Sequence, residues 1–464
     1  MSPKRHRRVL WLKNKSQREA SISSKLLLIT LEPISKSMAG PAIRCIELAR
    51  QLDHEFEVTV FSPYGGDHEF QLTDSDKFHV IVGGSQRELY ELANAADILF
   101  IQANVLKPYP DIAQMNKYLI VDLYDPYLFS LLVQYQDDPV TGSSSYRLMH
   151  QVLEKHMLCA DFFVCASERQ RDYWLGRFCA LGRVDPAMYK FDPSLRKLID
   201  VAAFGLSNHL PEKSGHGMRD NIAGISKNDF VLLWGGGVWD WFDPLTVIKA
   251  VTQLTKKRDD IKLFFMGIKS PNPKVPLMEM AVKAQALATE LGVLNKNVFF
   301  SDQWIPYEQR VNYLLEADVA VSAHYDLIET RFSFRTRILD YLWAGLPILT
   351  TGGDQLAELI DARHAGTSIN YEDVDGWVAA IEKMANDQVY RKSCAVNSSE
   401  LAKEFYWSKS AQPLKRYCRA PYHTPAFEKV TMPSLIERAH AVYSRGGKDL
   451  VLKRSKELLK DLLR

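Results

Sequence analysis

Residues 328–347 (IETRFSFRTRILDYLWAGLP) gather the groups best suited to chemistry in this chain. One acid (Glu329), three arginines (Arg331, Arg335, Arg337) and the hydroxyls of Ser333 and Thr336 stand in front of, and in, the first turn of an apolar helix. That helix, read over 334–344, places Ile338, Leu339, Leu342 and Trp343 on one face and stops at Gly345, with Pro347 beyond. Its amino end offers unpaired N–H groups and the positive end of the peptide dipole. With guanidinium groups alongside, such an end is a receptor for a diphosphate. Asp340, two positions past Ile338, is placed to accept hydrogen bonds from vicinal sugar hydroxyls. The competing reading is an exposed helix carrying an Arg337–Asp340 ion pair at i, i+3.

Two sets of elements are needed to position this cluster. Short apolar runs at 25–31, 58–61, 80–82, 98–102, 119–121 and 162–166 alternate with helical stretches, one of which opens at Gly40-Pro41. A second series follows, with strands at 230–234, 261–266, 298–300, 319–322 and 348–350 and helices at 244–254, 276–291, 306–315 and 334–344. Asp243-Pro244 and Ile305-Pro306 read as helix starts, with Asp243 as an N-cap. Strand–helix alternation of this kind predicts an α/β fold of parallel sheets covered on both faces. The expected organisation is a basic arm at 1–24, a Rossmann-like domain at 25–205, a linker at 206–228 and a second Rossmann-like domain at 229–400. A terminal helix at 401–423 and a basic amphipathic helical tail at 424–464 (helices at 433–443 and 448–464) complete it. Two such halves leave a cleft lined by the carboxyl ends of strands.

Length and composition fit this plan. A chain of 464 residues is too long for one core. Hydrophobic content of 46% and charged content of 25% are those of an ordinary globular protein, and a net charge of +2 argues against nucleic acid as a partner. The leader is rich in Lys and Arg with Glu19 its single acid, and it lacks the apolar run of a signal peptide. No window reaches 18 apolar residues, so no membrane span is expected. A cytoplasmic location follows, with the basic arm or tail able to touch an anionic membrane surface; the tail is also a candidate for homo-oligomer contacts. The six cysteines show no CxxC spacing and no histidine array, which fits small core residues in a reducing compartment and no metal site.

In their order, WGGGVWDWFDPLTVIKA, FMGIKSPNP, VFFSDQWIPYEQR and LLEADVAVSAHYDLIETRFSFRTRILDYLWAGLPILTTGGD resemble the family 4 glycosyltransferases of GT-B fold, in the subgroup of bacterial surface-polysaccharide assembly. The resemblance covers roughly residues 25–423. It implies a retaining enzyme that moves a sugar from a nucleotide-diphosphate-sugar to an acceptor hydroxyl without metal or cofactor. The donor would rest on the second domain and a glycan or lipid-linked acceptor on the first. The family's helix carries E-x₇-E, its second acid on the donor ribose five residues before a glycine; here that position is Asp340. The first acid falls on Phe332, and the nearest acid, Glu329, lies three residues earlier. The family's phosphate-binding Arg and Lys fall on Gly237 and Phe242, so Lys269, Arg335 and Arg337 become the candidate cations. Gly236 and Gly237 would allow close backbone approach, with Gly40 facing them from the first domain. Trp239, Trp241 and Phe242 are candidates for stacking on donor or acceptor rings, or for core packing. Trp304 is a candidate for stacking on the base, Asp125 for the group near the reacting carbon, and His324 for the cleft. Ser333, Phe334 and Thr336 complete the expected donor site.

The expected reaction is front-face transfer, the leaving diphosphate being stabilised by Arg335, Lys269 and the helix end. The missing first acid and the uncharged loop motivate an alternative: an inactive GT-B scaffold or regulatory partner of another transferase. A nicotinamide oxidoreductase would need G-x-G-x-x-G at the first strand–helix turn, and an esterase-type hydrolase G-x-S-x-G; neither is present.

Overall fold

The structure is a computed structural model, and it describes residues 24–35, 38–65, 71–268, 277–301, 305–306, 309–427 and 435–462. In the amino-terminal half, β1 (Lys25–Ile29), β2 (Glu57–Ser62), β3 (His79–Val82), β4 (Ile98–Gln102), β5 (Tyr118–Asp122), β6 (Phe162–Cys165) and β7 (Ile199–Val201) form a parallel sheet in the order β3-β2-β1-β4-β5-β6-β7. In the second half, β8 (Phe230–Trp234), β9 (Ile261–Phe265), β10 (Val298–Phe300), β11 (Val319–Ser322), β12 (Ile348–Thr351) and β13 (Gly366–Ile369) form another, in the order β10-β9-β8-β11-β12-β13. The central strands are buried on both faces, as sheets covered by crossover helices must be. In each sheet the winding reverses beside the first strand, at β1/β4 and at β8/β11. Loops leaving the carboxyl ends there splay apart and open a crevice.

Polar groups fix the first crevice. The Thr30 hydroxyl donates to Gln102 (2.9 Å), whose amide donates to the Pro41 carbonyl (2.9 Å), tying β1, β4 and the Gly40–Leu52 helix together. Below them Arg44, fully buried, makes a fork with Asp122 (2.7 and 3.1 Å) and donates to the Ala202 and Ala203 carbonyls. Its guanidinium also lies 5.2 Å from the Tyr124 ring centroid.

Two strands, β7 and β13, escape the sequence reading because one, IDV, is short and broken by a central Asp and the other, GTSI, is only half apolar. The single terminal helix expected at 401–423 is replaced by three short pieces: Lys403–Phe405, Trp407–Ser410 and Gln412–Arg419. The break has a physical cause. Leu206 N–H donates to Phe405 O (2.7 Å) and Trp407 N–H to Leu206 O (2.9 Å), so the chain is extended at Tyr406, and Pro413 then starts a new helix. Trp407 packs on Phe204 above Gly205, where a Cβ would come within 2.3 Å of the indole. Tyr417 stacks on Phe162 at 4.7 Å, so the last piece lies on the first lobe.

Both sheets belong to one compact unit, residues up to Arg171 and Leu198–His423. A smaller unit combines Asp172–Lys197 with Thr424–Arg464. Within it, Asp185 caps the Pro186–Phe191 helix, and Arg183 lies over Phe427 (4.6 Å) and donates to the Thr424 hydroxyl. The two helices expected in the tail are one, Leu435–Leu462, running through Gly446 and Gly447. The basic arm falls outside the described residues. Among these residues no helix is long and apolar enough to cross a membrane.

Removing one partner from a buried ion pair strands the other charge and costs about 3–5 kcal/mol. Arg44→Ala is therefore expected to lower the first urea-unfolding transition by an amount of that order, while the double change Arg44→Met with Asp122→Leu costs much less. Equal losses in the two variants, followed by tryptophan fluorescence, would show that packing rather than charge is responsible.

Candidate active site

The crevices of the two sheets share a cavity of about 550 Å³. From the first lobe it is lined by Glu32 and the Met38–Ile43 segment after β1, by Tyr124 and Asp125 after β5, and by Ser130 and Phe204. The second lobe contributes the loop after β8, with Gly235, Gly236, Gly237, Trp239, Trp241 and Phe242. It also contributes Met266 and Gly267 after β9, then Ile305, Arg310, Glu329, Arg335, Thr336, Arg337 and Asp340.

The β8 loop keeps its shape through glycine and one tyrosine. Gly236 adopts φ +78°, a conformation costly for residues with a Cβ. Gly235 N–H donates to Tyr341 Oη (2.7 Å), and that hydroxyl donates to Val321 O (3.1 Å). Burial pushes the Tyr341 phenol up to about 12, so it stays a neutral donor. A Cβ on residue 235 would lie 2.9 Å from the Tyr341 ring. Asp243 caps the Pro244–Leu254 helix through Thr246 N–H (3.0 Å). Trp239 and Trp241 stack in parallel, 5.5 Å apart.

The cationic cluster is split by its partners. Its helix runs Thr336–Trp343, preceded by a separate turn of helix at Ile328–Phe332. Glu329, 5% exposed, and Arg335, 6% exposed, form a two-point pair at 3.0 and 2.6 Å. Arg310 pairs with Asp340 at 3.1 Å, displacing the Arg337–Asp340 pair considered from sequence. Arg337 has no carboxylate partner among the described residues. Its Nη2 donates to Gly237 O (2.6 Å), its Nη1 is buried without a hydrogen-bond partner, and its guanidinium sits 4.0 Å from the Phe242 centroid and 5.1 Å from that of Trp234. Burial lowers its pKa to about 10, so it remains a cation at neutral pH. Burial likewise raises the Asp340 carboxyl, with Arg310 and Arg337 opposing the rise.

Across the cavity, the surrounding protein walls push the Asp125 carboxyl up to about 6; Glu329 adds to the rise and Arg335 opposes it. Asp125 is nonetheless solvent-exposed in area, because its face is open to the cavity, so solvent screens part of that penalty.

First-lobe groups brace the helix that carries Glu329. Gln170 Nε2 donates to Phe332 O (2.9 Å), Phe129 stacks on Phe332 (5.1 Å), and Arg169 donates to Arg331 O (3.3 Å).

Most of the expected site thus converges on one cavity: Gly40, Asp125, Gly236, Gly237, Trp239, Glu329, Arg335, Thr336, Arg337 and Asp340 all line it. Ser333 and Phe334 do not. The chain leaves helical geometry at Ser333, whose hydroxyl donates to Thr330 O, while Phe334 turns to the core beside Phe405. His324 is fully buried outside the cavity lining, its Nε2 3.3 Å from an Asp354 oxygen, and burial lowers its pKa. Lys269 and Trp304 lie outside the described residues. Glu32, Tyr124 and Arg310 are additions. Glu32 was legible as the acid just after the first strand at a sheet's switch point; Arg310 had no local signal, since its partner lies 30 residues on.

Residues 229–387 match the family described as Glycosyl transferases group 1. No curated protein sequence matches the chain. Solved structures align over most of it at low identity. They include sucrose-phosphate synthase from Thermosynechococcus elongatus (14% identity, 85% of this chain and 98% of that one, TM-score 0.60). Anabaena HepE in complex with UDP-glucose aligns with 14% identity, over 85% and 99%, at TM-score 0.61. WaaG, a glycosyltransferase involved in lipopolysaccharide biosynthesis, aligns with 17% identity, over 84% and 98%, at TM-score 0.57. The second lobe is thus a group 1 glycosyltransferase domain, and the two sheets together make a GT-B fold.

The raised carboxyl has a measurable consequence. Between the unfolded value of 3.8 and a folded value of about 6, the folded state holds a proton that the unfolded state has released. This group's contribution to stability is therefore greatest below that window and falls as pH rises through it. Asp125→Asn is expected to flatten that part of the stability–pH profile and to be the more stable form at pH 7; a profile parallel to the parent's contradicts the raised value.

Proposed function

We propose that the chain transfers a sugar from a nucleotide-diphosphate-sugar to an acceptor hydroxyl, with retention and without a metal, in the synthesis of a bacterial surface polysaccharide. One observation carries the reading: Arg337, a cation with no carboxylate partner among the described residues, lines the cavity at the start of the Thr336–Trp343 helix. A buried guanidinium with an unused N–H is poised for an anionic oxygen, and the helix end adds to its field. Arg335, already neutralised by Glu329, serves instead to hold that acid at the cavity wall. The HepE structure contains UDP-glucose and WaaG acts in lipopolysaccharide biosynthesis, which supports a UDP-sugar donor and a polysaccharide product. Retention comes from the family resemblance.

In this scheme the β-phosphate faces Arg337 and one free oxygen of Asp340 receives the ribose hydroxyls, the other being held by Arg310. Gly236 and Gly237 let the diphosphate approach the backbone. The acceptor oxygen bonds to C1 on the face that the leaving group departs. The C1–O bond to phosphate breaks, its electron pair stays on the diphosphate, and the hydroxyl proton passes to a departing phosphate oxygen. Stabilising the charge that develops on the diphosphate is the largest service such a site can give. Asp125, across the cavity, supports positive charge building at C1 when ionised.

A hydrogen bond from a charged donor contributes about 1.5–3 kcal/mol. Arg337→Met is therefore expected to weaken UDP binding by roughly 10- to 100-fold in calorimetry, with Arg337→Lys in between. In a thermal-shift screen of nucleotides, the cognate one at 100 times its Kd should add about 2.7 kcal/mol of stability. Unchanged UDP affinity in Arg337→Met, alongside normal binding by the parent, would remove the assignment. An ascending limb of kcat/KM near pH 6 that vanishes in Asp125→Asn is expected if the ionised carboxylate assists transfer.

A further inference from the structure

Two features of the cavity wall are not used in holding a diphosphate. The first is the Trp239–Trp241 pair, whose rings are within 3° of parallel and which are both half-buried in the cavity lining. Neither indole N–H donates to another described residue, in contrast to Trp343, whose Nε1 donates to His209 O. The second is the sign of charge on the first-lobe wall. Its described charged residues are Glu32 and Asp125, and neither carboxylate makes a hydrogen bond or ion pair among the described residues. The described cations of the cavity, Arg310, Arg335 and Arg337, all come from the second lobe.

Flat apolar ring faces with spare N–H donors, opposite carboxylates with spare lone pairs, complement one chemical class. A sugar ring offers a C–H face to aromatic rings and hydroxyl donors to carboxylates. A phosphate or carboxylate near the reacting hydroxyl would instead meet like charge on the first-lobe wall, and such opposition selects against it.

We propose that the acceptor is an uncharged saccharide terminus, its ring seated against Trp241 and Trp239 and its attacking hydroxyl directed between Asp125 and Glu329. This rests on the reading of the cavity as a glycosyl-transfer site. The hydroxyl supplies the oxygen of the new bond and gives its proton to the departing diphosphate, so the acceptor needs no charge of its own. The second lobe sorts the donor by its anion, and the first lobe sorts the acceptor by its lack of one.

The test uses the full chain saturated with UDP, so that the cationic wall is occupied, and saturation-transfer NMR with three probes: methyl hexosides of glucose, galactose and mannose, the corresponding hexose 6-phosphates, and the hexuronic acids. The expected result is contact to ring C–H protons of at least one neutral hexoside, with weaker binding of its charged counterparts. Trp241→Ala should weaken that binding by about ten-fold and Trp241→Phe by less, with UDP affinity kept within about two-fold as the check on folding. Tighter binding of a phosphorylated or uronic sugar overturns the proposal, as does the absence of any neutral-sugar contact. So does an equal loss of UDP affinity in Trp241→Ala, which would assign the tryptophans to the donor. These outcomes leave glycosyl transfer standing. Failure of the parent chain to bind any nucleotide diphosphate sinks the transfer reading itself.

Discussion

Desolvation of guanidinium groups beside the Thr336–Trp343 helix governs this site. Taking such a charge out of water costs several kcal/mol unless it is paired. Two of the three cavity arginines are relieved by carboxylates, Arg335 by Glu329 and Arg310 by Asp340. Arg337 has only the Gly237 carbonyl and the faces of Phe242 and Trp234. Aromatic faces and one carbonyl offset part of the penalty and leave a field directed into the cavity. Phe242 is central, because its ring lies close to both Arg335 (4.9 Å) and Arg337 (4.0 Å), and all three line the cavity. A cation held away from water before any ligand arrives needs no reorganisation to stabilise a leaving anion.

The fold makes that arrangement possible through contacts that are themselves buried. Tyr341, on the helix that begins with the cationic cluster, reaches under the β8 loop and fixes Gly235 by a hydrogen bond. The helix that carries Arg337 and the loop that carries Gly237 O are therefore set against each other by two side chains, Tyr341 and Arg337. On the other side, Gln170 and Phe129 of the first lobe hold Phe332, three residues from Glu329. The Glu329–Arg335 pair is thus placed by both lobes, and its geometry depends on their being together.

Much of this was legible in the sequence, and what was not has specific causes. Parallel sheets followed from apolar runs separated by helical periodicity, and the choice of Asp340 from the family resemblance, which implies an acid five residues before Gly345. The failure at Ser333 and Phe334 came from reading one helix where there are two: the extended backbone at Ser333 lets Glu329 fold back to meet Arg335. The visible sign was Glu329 itself, three residues early for the family pattern, which places it six residues ahead of Arg335. That Arg335 is paired with Glu329 while Arg337 has no carboxylate partner among the described residues was not readable from the cluster, because partner choice is a tertiary property. Arg310 could not be found at all by local pattern, since it reaches Asp340 from another helix.

The two walls of the cavity also act on each other. Asp125 already holds its proton more tightly than an exposed carboxyl, because protein surrounds it and Glu329 is near, while Arg335 pulls the other way. A diphosphate arriving at Arg337 would bring further negative charge into the same enclosed space, and a like charge favours the neutral acid. Donor binding and protonation of Asp125 are therefore linked, each favouring the other by the same free energy. Once the diphosphate has left C1 the electrostatics change again: an ionised Asp125 favours positive charge at the sugar, and a protonated one does not. A carboxyl poised near 6 can respond to that change at neutral pH, whereas one at the ordinary value of 3.8 would stay ionised throughout. Through Asp125, the charge of a diphosphate at Arg337 would thus tie the protonation state of the first lobe to occupancy of the second.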